Sequence, residues 1–274
     1  MINDILVHLP VDQPNDVARD YAISAASMFD AHLSGIVIAP EFPRWAMSEG
    51  VSARIVEEWS AERRAEAKKT AKLFDDRVRL RGLRSDSRIV PDRLGESARL
   101  FSEIARNYDV SVVAQPEDEG DMRGGLLIEA ALFNSGRPLL VVPFIQAKDI
   151  KLEHVMVCWD GSQHAARAVG AAAPFLERAR KVEVVTVEDK ERPDELRGIK
   201  IAEHLSRRRV NVELKPIVAP DSEAADVILN EVADANIDLI IMGAYGHSRF
   251  REFVLGGVTR SMLKAMTAPV LMAH

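Results

Sequence analysis

Residues 239–273 read LIIMGAYGHSRFREFVLGGVTRSMLKAMTAPVLMA, and this stretch decides the expected fold. The apolar run 239–242 has the length of a buried strand, and residues 270–273 form a second such run. Between them lie a glycine-containing loop and a segment whose apolar residues recur at helical spacing. Glycines let backbone N–H groups approach a ligand, and a helix N-terminus adds unsatisfied donors and partial positive charge. A strand, a glycine loop and a helix in this order can hold a phosphate.

The glycine spacing resembles the G-x2-G-x9-G-[ST] motif of nucleotide-binding members of the universal stress protein family. Gly243, Gly246 and Gly256 reproduce this spacing, and Gly257 stands where the family has Ser or Thr. The resemblance implies a five-stranded sheet in the order 3-2-1-4-5 in each domain. It also implies that the last strands pair between domains, so that one chain forms a pseudo-dimer.

An internal repeat indicates two copies of one α/β unit. The run 109–113, DVSVV, parallels 238–242, DLIIM, and Gly125 precedes Pro138 by the same thirteen residues that separate Gly256 from Pro269. Strands that alternate with helices predict parallel sheets with right-handed crossovers. We therefore expect an α/β fold of two tandem Rossmann-like (adenine-nucleotide-hydrolase-like) domains, each a five-stranded parallel sheet flanked by helices. The expected domains are residues 1–147 and 153–274, joined by a polar, charged linker at 148–153.

Composition limits the function classes. The net charge is −6 and the pI about 5.7, which argues against a nucleic-acid partner. The single cysteine, Cys158, lies in an apolar run and is expected to be a core thiol. The N-terminal MINDILVHLP lacks the basic segment of a signal peptide, and no apolar run reaches membrane-spanning length. These features predict a cytoplasmic protein with no membrane partner.

Residues 51–78 are expected to form a long charged helix. Its predicted buried stripe includes Ile55, Trp59, Phe74 and Val78, with charged residues on the other face. A long helix of this kind is expected to be absent from the second half, where the shorter segment 195–209 is predicted as a helix; the long helix is thus an embellishment and a surface for a protein partner.

The resemblance also assigns a nucleotide site to the second domain. Asp160, Gly161 and the backbone of Val187 would face the nucleoside, while the glycine loop and the start of the next helix would face ribose and phosphates. Thr259 would partly replace the hydroxyl lost at Gly257. The complete implied set is Asp160, Gly161, Val187, Met242, Gly243, Gly246, Gly256, Gly257, Val258 and Thr259. A simpler interpretation stays open, in which Asp160 to Ser162 form only a turn and helix cap and the glycines only a sharp turn.

The first domain is expected to have lost this site. Pro10 stands where Asp160 would align, and Ala114 replaces Gly243. The following loop carries acidic residues that would repel a phosphate: Glu117, Asp118, Glu119 and Asp121. We therefore expect at most one adenine nucleotide per chain, bound as ATP with or without Mg²⁺.

Three functions are compatible with these residues. The first is a non-enzymatic stress-response protein that binds ATP or another adenine nucleotide as a regulatory ligand, with the pseudo-dimer free to form a homodimer. The second is an interaction module that binds no nucleotide and uses the long helix as its partner surface. The third is a slow ATPase, for which the sequence supplies no evident general base near the phosphates.

Overall fold

The computed structural model describes residues 1–11, 16–42, 52–92, 96–116, 122–146, 149–188, 197–220, 224–244 and 257–274. The first half contains β1 (Asp4–Leu9), α1 (Val17–Phe29), β2 (His32–Pro40), α2 (Ala53–Leu80), β3 (Ser85–Asp92), α3 (Ser97–Ala105), β4 (Val110–Ala114), α4 (Met122–Asn134) and β5 (Leu139–Val142). The second half contains β6 (His154–Cys158), α5 (Gln163–Ala171), α6 (Ala173–Leu176), β7 (Lys181–Glu188), α7 (Arg197–Arg207), β8 (Val212–Val218), α8 (Ala224–Asp234), β9 (Leu239–Gly243), α9 (Gly257–Ala265) and β10 (Val270–Ala273). None of these helices is both long and apolar enough to cross a membrane.

The described strands form one ten-stranded sheet in the order β3-β2-β1-β4-β5-β10-β9-β6-β7-β8. Each half thus has the predicted order 3-2-1-4-5, and the pairs within a half are parallel. The halves join through antiparallel pairing of β5 with β10, where Leu140 faces Leu271. The carboxyl ends of the strands therefore point to opposite edges of the sheet in the two halves.

Helices cover both faces of this sheet. One face packs against α1, α2, α5, α6 and α7 through side chains such as Tyr21, Phe74 and Leu205. The other packs against α3, α4, α8 and α9, with Phe101 and Met262 among the buried contacts. The near-continuous apolar strands are explained by this burial on two faces. All of this agrees with the predicted α/β fold class.

The two halves reuse the same backbone contacts. The Asp109 carboxylate accepts hydrogen bonds from the N–H groups of Asn3 and Asp4, at 2.7 and 3.1 Å. At the corresponding place Asp238 accepts a bond from the N–H of His154, at 3.0 Å. Each aspartate thus fastens the start of its first strand to the start of its fourth, which explains the Asp that opens both predicted repeat segments.

Residues 149–153 differ from the polar linker that the sequence suggested. The side chains of Ile150 and Leu152 are buried in the core on the α1 face of the sheet. The N–H of Ile150 donates to the Ser24 hydroxyl at 2.9 Å, which anchors the segment to α1. The segment therefore contributes to packing between the halves, while Lys148 lies outside the described residues and the domain limits remain a prediction.

The long helix was predicted correctly as a helix, but the burial of its N-terminal part was predicted wrongly. Ile55 is 54% exposed and Trp59 only half-buried, whereas Phe74 and Val78 are fully buried. Only the C-terminal part of α2 therefore lies on the sheet. The second half also has a helix at this position, since α7 connects β7 to β8 as α2 connects β2 to β3. The long helix is thus an extended version of a shared element.

Candidate functional site

The candidate site lies at the carboxyl ends of β6 and β9, which are neighbours in the sheet and register Cys158 opposite Met242. From β6 the chain continues to β7 on one side, whereas β9 lies on the other side. The strand order therefore reverses between β6 and β9. In open parallel α/β sheets, ligands bind in the crevice at such a reversal.

The turn after β6 is built by Asp160, Gly161 and Ser162. The Asp160 Oδ1 accepts a hydrogen bond from the Ser162 N–H at 2.9 Å, and the Ser162 Oγ accepts one from the Ala165 N–H at 3.1 Å. Gly161 has a φ of 77°, a conformation that favours glycine. The turn and helix cap of the simpler interpretation are therefore present. The Asp160 side chain is nevertheless exposed, so the same carboxylate is accessible to a ligand.

Gly243 ends β9 and is in close contact with the start of α5. A Cβ at this position would lie 2.5 Å from the Ala165 nitrogen and 2.6 Å from the His164 carbonyl carbon. Both atoms belong to the backbone, so a side chain would displace the helix. Gly243 is thus required by packing, in addition to any role beside a ligand.

The other predicted residues divide into exposed and buried positions. Gly257 is exposed at the first residue of α9, and a Cβ added there would meet no atom within 4 Å. Thr259 and Met242 are 4% and 5% exposed. The Met242 side chain packs in the core on the α9 face of the sheet, with Val187 and Val258 partly buried against that core. Both side chains are thus largely buried, and the contact of Met242 and Thr259 with a ligand stays a prediction.

Part of the predicted site is not described. Gly246 and Gly256 lie outside the described residues, as do the acidic residues of the corresponding loop in the first half: Glu117, Asp118, Glu119 and Asp121. The equivalences at the strand ends can be compared directly. Pro10 follows β1 as Asp160 follows β6, and Ala114 ends β4 as Gly243 ends β9.

Sequence reasoning missed a cluster of aromatic side chains at this edge. His164, at the start of α5, stacks on His274 with ring centroids 4.3 Å apart, and Phe133 of α4 packs edge-on against His274 at 4.4 Å. The His274 Nδ1 lies 3.1 Å from the Ala244 carbonyl oxygen, which is consistent with a hydrogen bond from the ring N–H. Burial, followed by the proximity of His274, lowers the pKa of His164. No sequence signal connects residues so far apart in the chain.

Cys158 is not a nucleophile in this setting. Desolvation, with a smaller contribution from the Asp160 charge, raises the pKa of its thiol to about 12. The thiolate is the reactive form of cysteine, so this thiol stays protonated and inert at neutral pH. The residue is partly buried against the core, in keeping with the predicted role as a core thiol.

Comparison with known proteins links the fold and the motif to one family. Residues 151–274 match the model of the universal stress protein family. Universal stress protein Slr1230 of Synechocystis is 27% identical over 178 residues, which span 62% of this chain and 60% of the length of that relative. A universal stress protein from Archaeoglobus fulgidus has a similar structure, with a TM-score of 0.74, 14% identity, and coverage of 98% of this chain and 97% of that chain.

A second solved structure gives the same result for the fold. The putative universal stress protein of Pseudomonas aeruginosa aligns with a TM-score of 0.61 at 13% identity, covering 99% of this chain and 93% of its own. Both solved structures match nearly the whole chain, so the fold similarity extends over both halves of the sheet.

Proposed function

We propose that this chain, whose residues 151–274 belong to the universal stress protein family, binds ATP or another adenine nucleotide as a regulatory ligand in its second half. One observation carries the proposal. At the reversal of strand order between β6 and β9, the exposed Asp160 turn follows one strand, and the motif glycine Gly243 ends the other. A crevice of this kind is the usual ligand position in open α/β sheets.

The proposed roles follow the chemistry of each group. The exposed Asp160 carboxylate accepts hydrogen bonds from ribose hydroxyls, while the backbone at Val187 contacts the adenine edge. The N-terminus of α9, beginning at Gly257, provides backbone donors and partial positive charge for the phosphates. Gly246 and Gly256 are included on the strength of the motif alone. Mg²⁺ would accompany the phosphates of ATP.

We also propose that the nucleotide is a ligand and not a substrate. Asp160 is assigned to the nucleoside end, so no general base is assigned beside the phosphates. Binding would instead stabilise α9, which is connected to the first half through Gln115. The side-chain amide of Gln115 donates to the carbonyl oxygens of Leu263 and Lys264, at 2.8 and 3.2 Å.

The experiment combines small-molecule analysis with titration. Purified, undialysed protein is denatured and the released molecules are identified by mass spectrometry; the stripped protein is then titrated with ATP and Mg²⁺ by calorimetry. We expect close to one adenine nucleotide per chain and weaker binding in Asp160→Ala. Gly257→Ser should bind more tightly, because the added hydroxyl supplies a donor in open space.

Pro10→Ala, at the matching place in the first half, is the control and should bind like the wild type. Absence of both released nucleotide and saturable binding would contradict the proposal. Release of inorganic phosphate from saturating ATP, abolished by Asp160→Ala, would contradict the non-enzymatic part alone.

The exposed part of α2 favours the interaction module as the second candidate. Ile55 is exposed on the part of the helix that does not pack on the sheet, where Trp59 contacts the Phe42 ring at 5.5 Å and the Arg63 guanidinium lies 5.8 Å from the Trp59 ring. Equal melting temperatures with and without ATP and Mg²⁺ would favour this candidate, since a ligand bound to the folded state raises its stability.

A further inference from the structure

A polar pocket of about 530 Å³ lies at the edge of the second half opposite the candidate nucleotide site. It is lined by residues near the amino ends of β6, β7 and β8 and by the last turn of α8. The volume falls in the range of small-molecule sites, which is roughly 300–1,000 Å³. None of the residues proposed for the nucleotide site lines this pocket, so its occupant is a separate question from nucleotide binding.

Glu183 is the buried acidic group of this pocket. The residue is only 3% exposed, and its Oε1 has no hydrogen-bond partner among the described residues. Its other oxygen, Oε2, lies 3.5 Å from His154 Nε2 and 4.0 Å from the Lys181 ammonium. Removing a carboxylate from water without good hydrogen bonds costs free energy. A donor to Glu183 Oε1 would lower this cost.

His154 does not supply that donor in its neutral form. The Nδ1 of its ring lies 3.0 Å from the Ala235 carbonyl oxygen, which can only accept a hydrogen bond. Nδ1 therefore carries the proton, and Nε2 of the neutral ring is an acceptor. Nε2 is also buried without a hydrogen-bond partner. Glu183 and His154 both line the pocket, and their buried acceptors Glu183 Oε1 and His154 Nε2 have no donor among the described residues.

The first half shows the same position in a satisfied form. The registers pair His154 with Lys181 and Asp4 with His32, so Glu183 on β7 corresponds to Ser34 on β2. The Ser34 hydroxyl donates a hydrogen bond to Asp86 Oδ1 at 2.6 Å, so its proton has a partner within the protein. Glutamate in place of serine adds a charge and an unmet acceptor in the second half only.

The remaining charges leave the pocket short of cations. The Lys181 ammonium lies 2.7 Å from Glu213 Oε2, and the Lys215 ammonium pairs with Glu231. Asp234 is exposed at the rim and makes no ion pair with a described residue. The carboxylates that line the pocket therefore outnumber its two lysines. No group of acidic, histidine or cysteine side chains among the described residues has the arrangement of a metal site. A cation with several N–H donors fits this surplus better than a metal ion.

We propose that this pocket binds a small aliphatic amine, whose ammonium group donates hydrogen bonds to Glu183 Oε1 and His154 Nε2. An ammonium has three donors and no acceptor, which complements two acceptors that lack a donor. The bonds are charge-assisted, and the carboxylate is already desolvated by the protein. A second amino group on the ligand would reach the unpaired carboxylate of Asp234 at the rim.

The test is calorimetric titration of the full chain with 1,4-diaminobutane and with n-butylamine at low ionic strength and mildly alkaline pH. We expect one site per chain for both amines. Glu183→Gln should weaken binding at least tenfold, because it removes the charge while keeping the shape. Asp86→Asn, in the corresponding cluster of the first half, should bind like the wild type. Tetramethylammonium, which has the charge without N–H donors, should not bind.

The pH dependence of wild-type binding gives a second readout. Burial, followed by the nearby Glu231, raises the pKa of Glu183, while Lys215, His154 and Lys181 act to lower it. Glu213 and Asp234 are the other charged groups that face the pocket. The amine binds the ionised carboxylate, so affinity should rise with pH as Glu183 loses its proton.

Several outcomes would overturn the proposal. They are the absence of saturable binding, equal affinity in Glu183→Gln, or equal binding of tetramethylammonium. If Glu183→Gln fails to fold, the ¹⁵N chemical shift of His154 Nε2 in the wild type decides instead. It should move when 1,4-diaminobutane is added, and an unchanged resonance would exclude the contact.

Discussion

Gly243 shows how a single missing Cβ can serve two purposes. The Cβ of an alanine here would meet the Ala165 nitrogen at 2.5 Å, closer than any van der Waals contact allows. The residue that the motif assigns to phosphate binding is therefore also required for α5 to pack on β9. Loss of nucleotide binding on substitution of this glycine would by itself be ambiguous, which is why Asp160 and Gly257 are the better probes of the site.

We predict that Gly243→Ala lowers the free energy of unfolding by about 1–3 kcal/mol, the usual cost of overpacking. The measurement is urea denaturation followed by circular dichroism. Gly170→Ala is the matched control, because Gly170 lies in α5 with nothing within 4 Å of its added Cβ. Alanine has the higher helix propensity, so the control should gain up to about 1 kcal/mol. Equal effects of the two substitutions would refute the packing argument.

Asp16 is a helix cap in an unfavourable environment. Its Oδ1 accepts a hydrogen bond from the Arg19 N–H at 2.9 Å, but the residue is 2% exposed and Oδ2 has no hydrogen-bond partner among the described residues. Burial raises the pKa of this carboxyl from 3.8 to about 6. The folded state therefore holds a proton that the unfolded state releases between these two pH values.

A raised pKa in the folded state stabilises the protein fully below pH 3.8, and this contribution is lost as pH rises toward about 6. The ionised carboxylate thus costs about 2–3 kcal/mol at neutral pH. Asp16→Asn keeps a good N-cap and removes the charge. We expect it to flatten the fall in unfolding free energy between pH 4 and 6, measured by urea denaturation at several pH values. The exposed Asp75→Asn should leave the profile unchanged, and an identical profile in Asp16→Asn would disprove the assignment.

At the scale of elements, Gln115 connects the two halves. It follows β4 in the first half, yet its side-chain amide donates to the last carbonyls of α9 in the second. Its Oε1 accepts a hydrogen bond from the Phe144 N–H at 3.2 Å. One buried side chain thus satisfies backbone groups at the end of a helix and in the segment after β5. The helix proposed to bind phosphates at its N-terminus is held by the other half at its C-terminus.

We predict that Gln115→Leu costs about 1–3 kcal/mol, because it leaves buried backbone groups without partners. Urea denaturation gives the loss, and hydrogen exchange should become faster in the last turn of α9. Gln163→Leu, on the exposed first turn of α5, is the control and should change neither quantity. Unchanged exchange in α9 of Gln115→Leu would show that this contact does not hold the helix.

At the scale of the whole molecule, the halves share one sheet and one core. The β5–β10 pairing crosses the seam, and Phe29 of α1 packs edge-on against Phe175 of α6 with ring centroids 4.8 Å apart. These two phenylalanines occupy matching places in the two halves. The seam is therefore made from backbone pairing and apolar packing together, which favours joint unfolding.

We predict a single cooperative unfolding transition for the whole chain. Variants that keep only Trp59 or only Trp159, with the other tryptophans changed to phenylalanine, report on the first and second halves by fluorescence. Their urea midpoints should coincide, since coincident probes indicate two-state behaviour. Phe175→Ala should lower both midpoints together, whereas a shift confined to the Trp159 probe would show that the halves unfold separately.

The local patterns of the sequence were sufficient for the elements and for their repeat. Apolar runs marked the buried strands, helical spacing marked the helices, and the family motif supplied the strand order. Asp160, Gly161 and Gly257 could likewise be placed at strand and helix ends, because turn and cap residues are recognised by their neighbours in the chain. Such patterns record which side of an element is apolar, and this property depends on nearby residues alone.

Contacts between distant segments had to come from the tertiary structure. The sequence does not reveal that Gly243 faces the backbone of α5, that Gln115 reaches α9, or that Glu183 opposes His154. It also misjudged the burial of Ile150 and Ile55, since burial depends on whether another element lies above the side chain. Each of these contacts is set by the register of the sheet and the position of a helix upon it. Those quantities emerge only when the whole chain packs, because no single segment contains them.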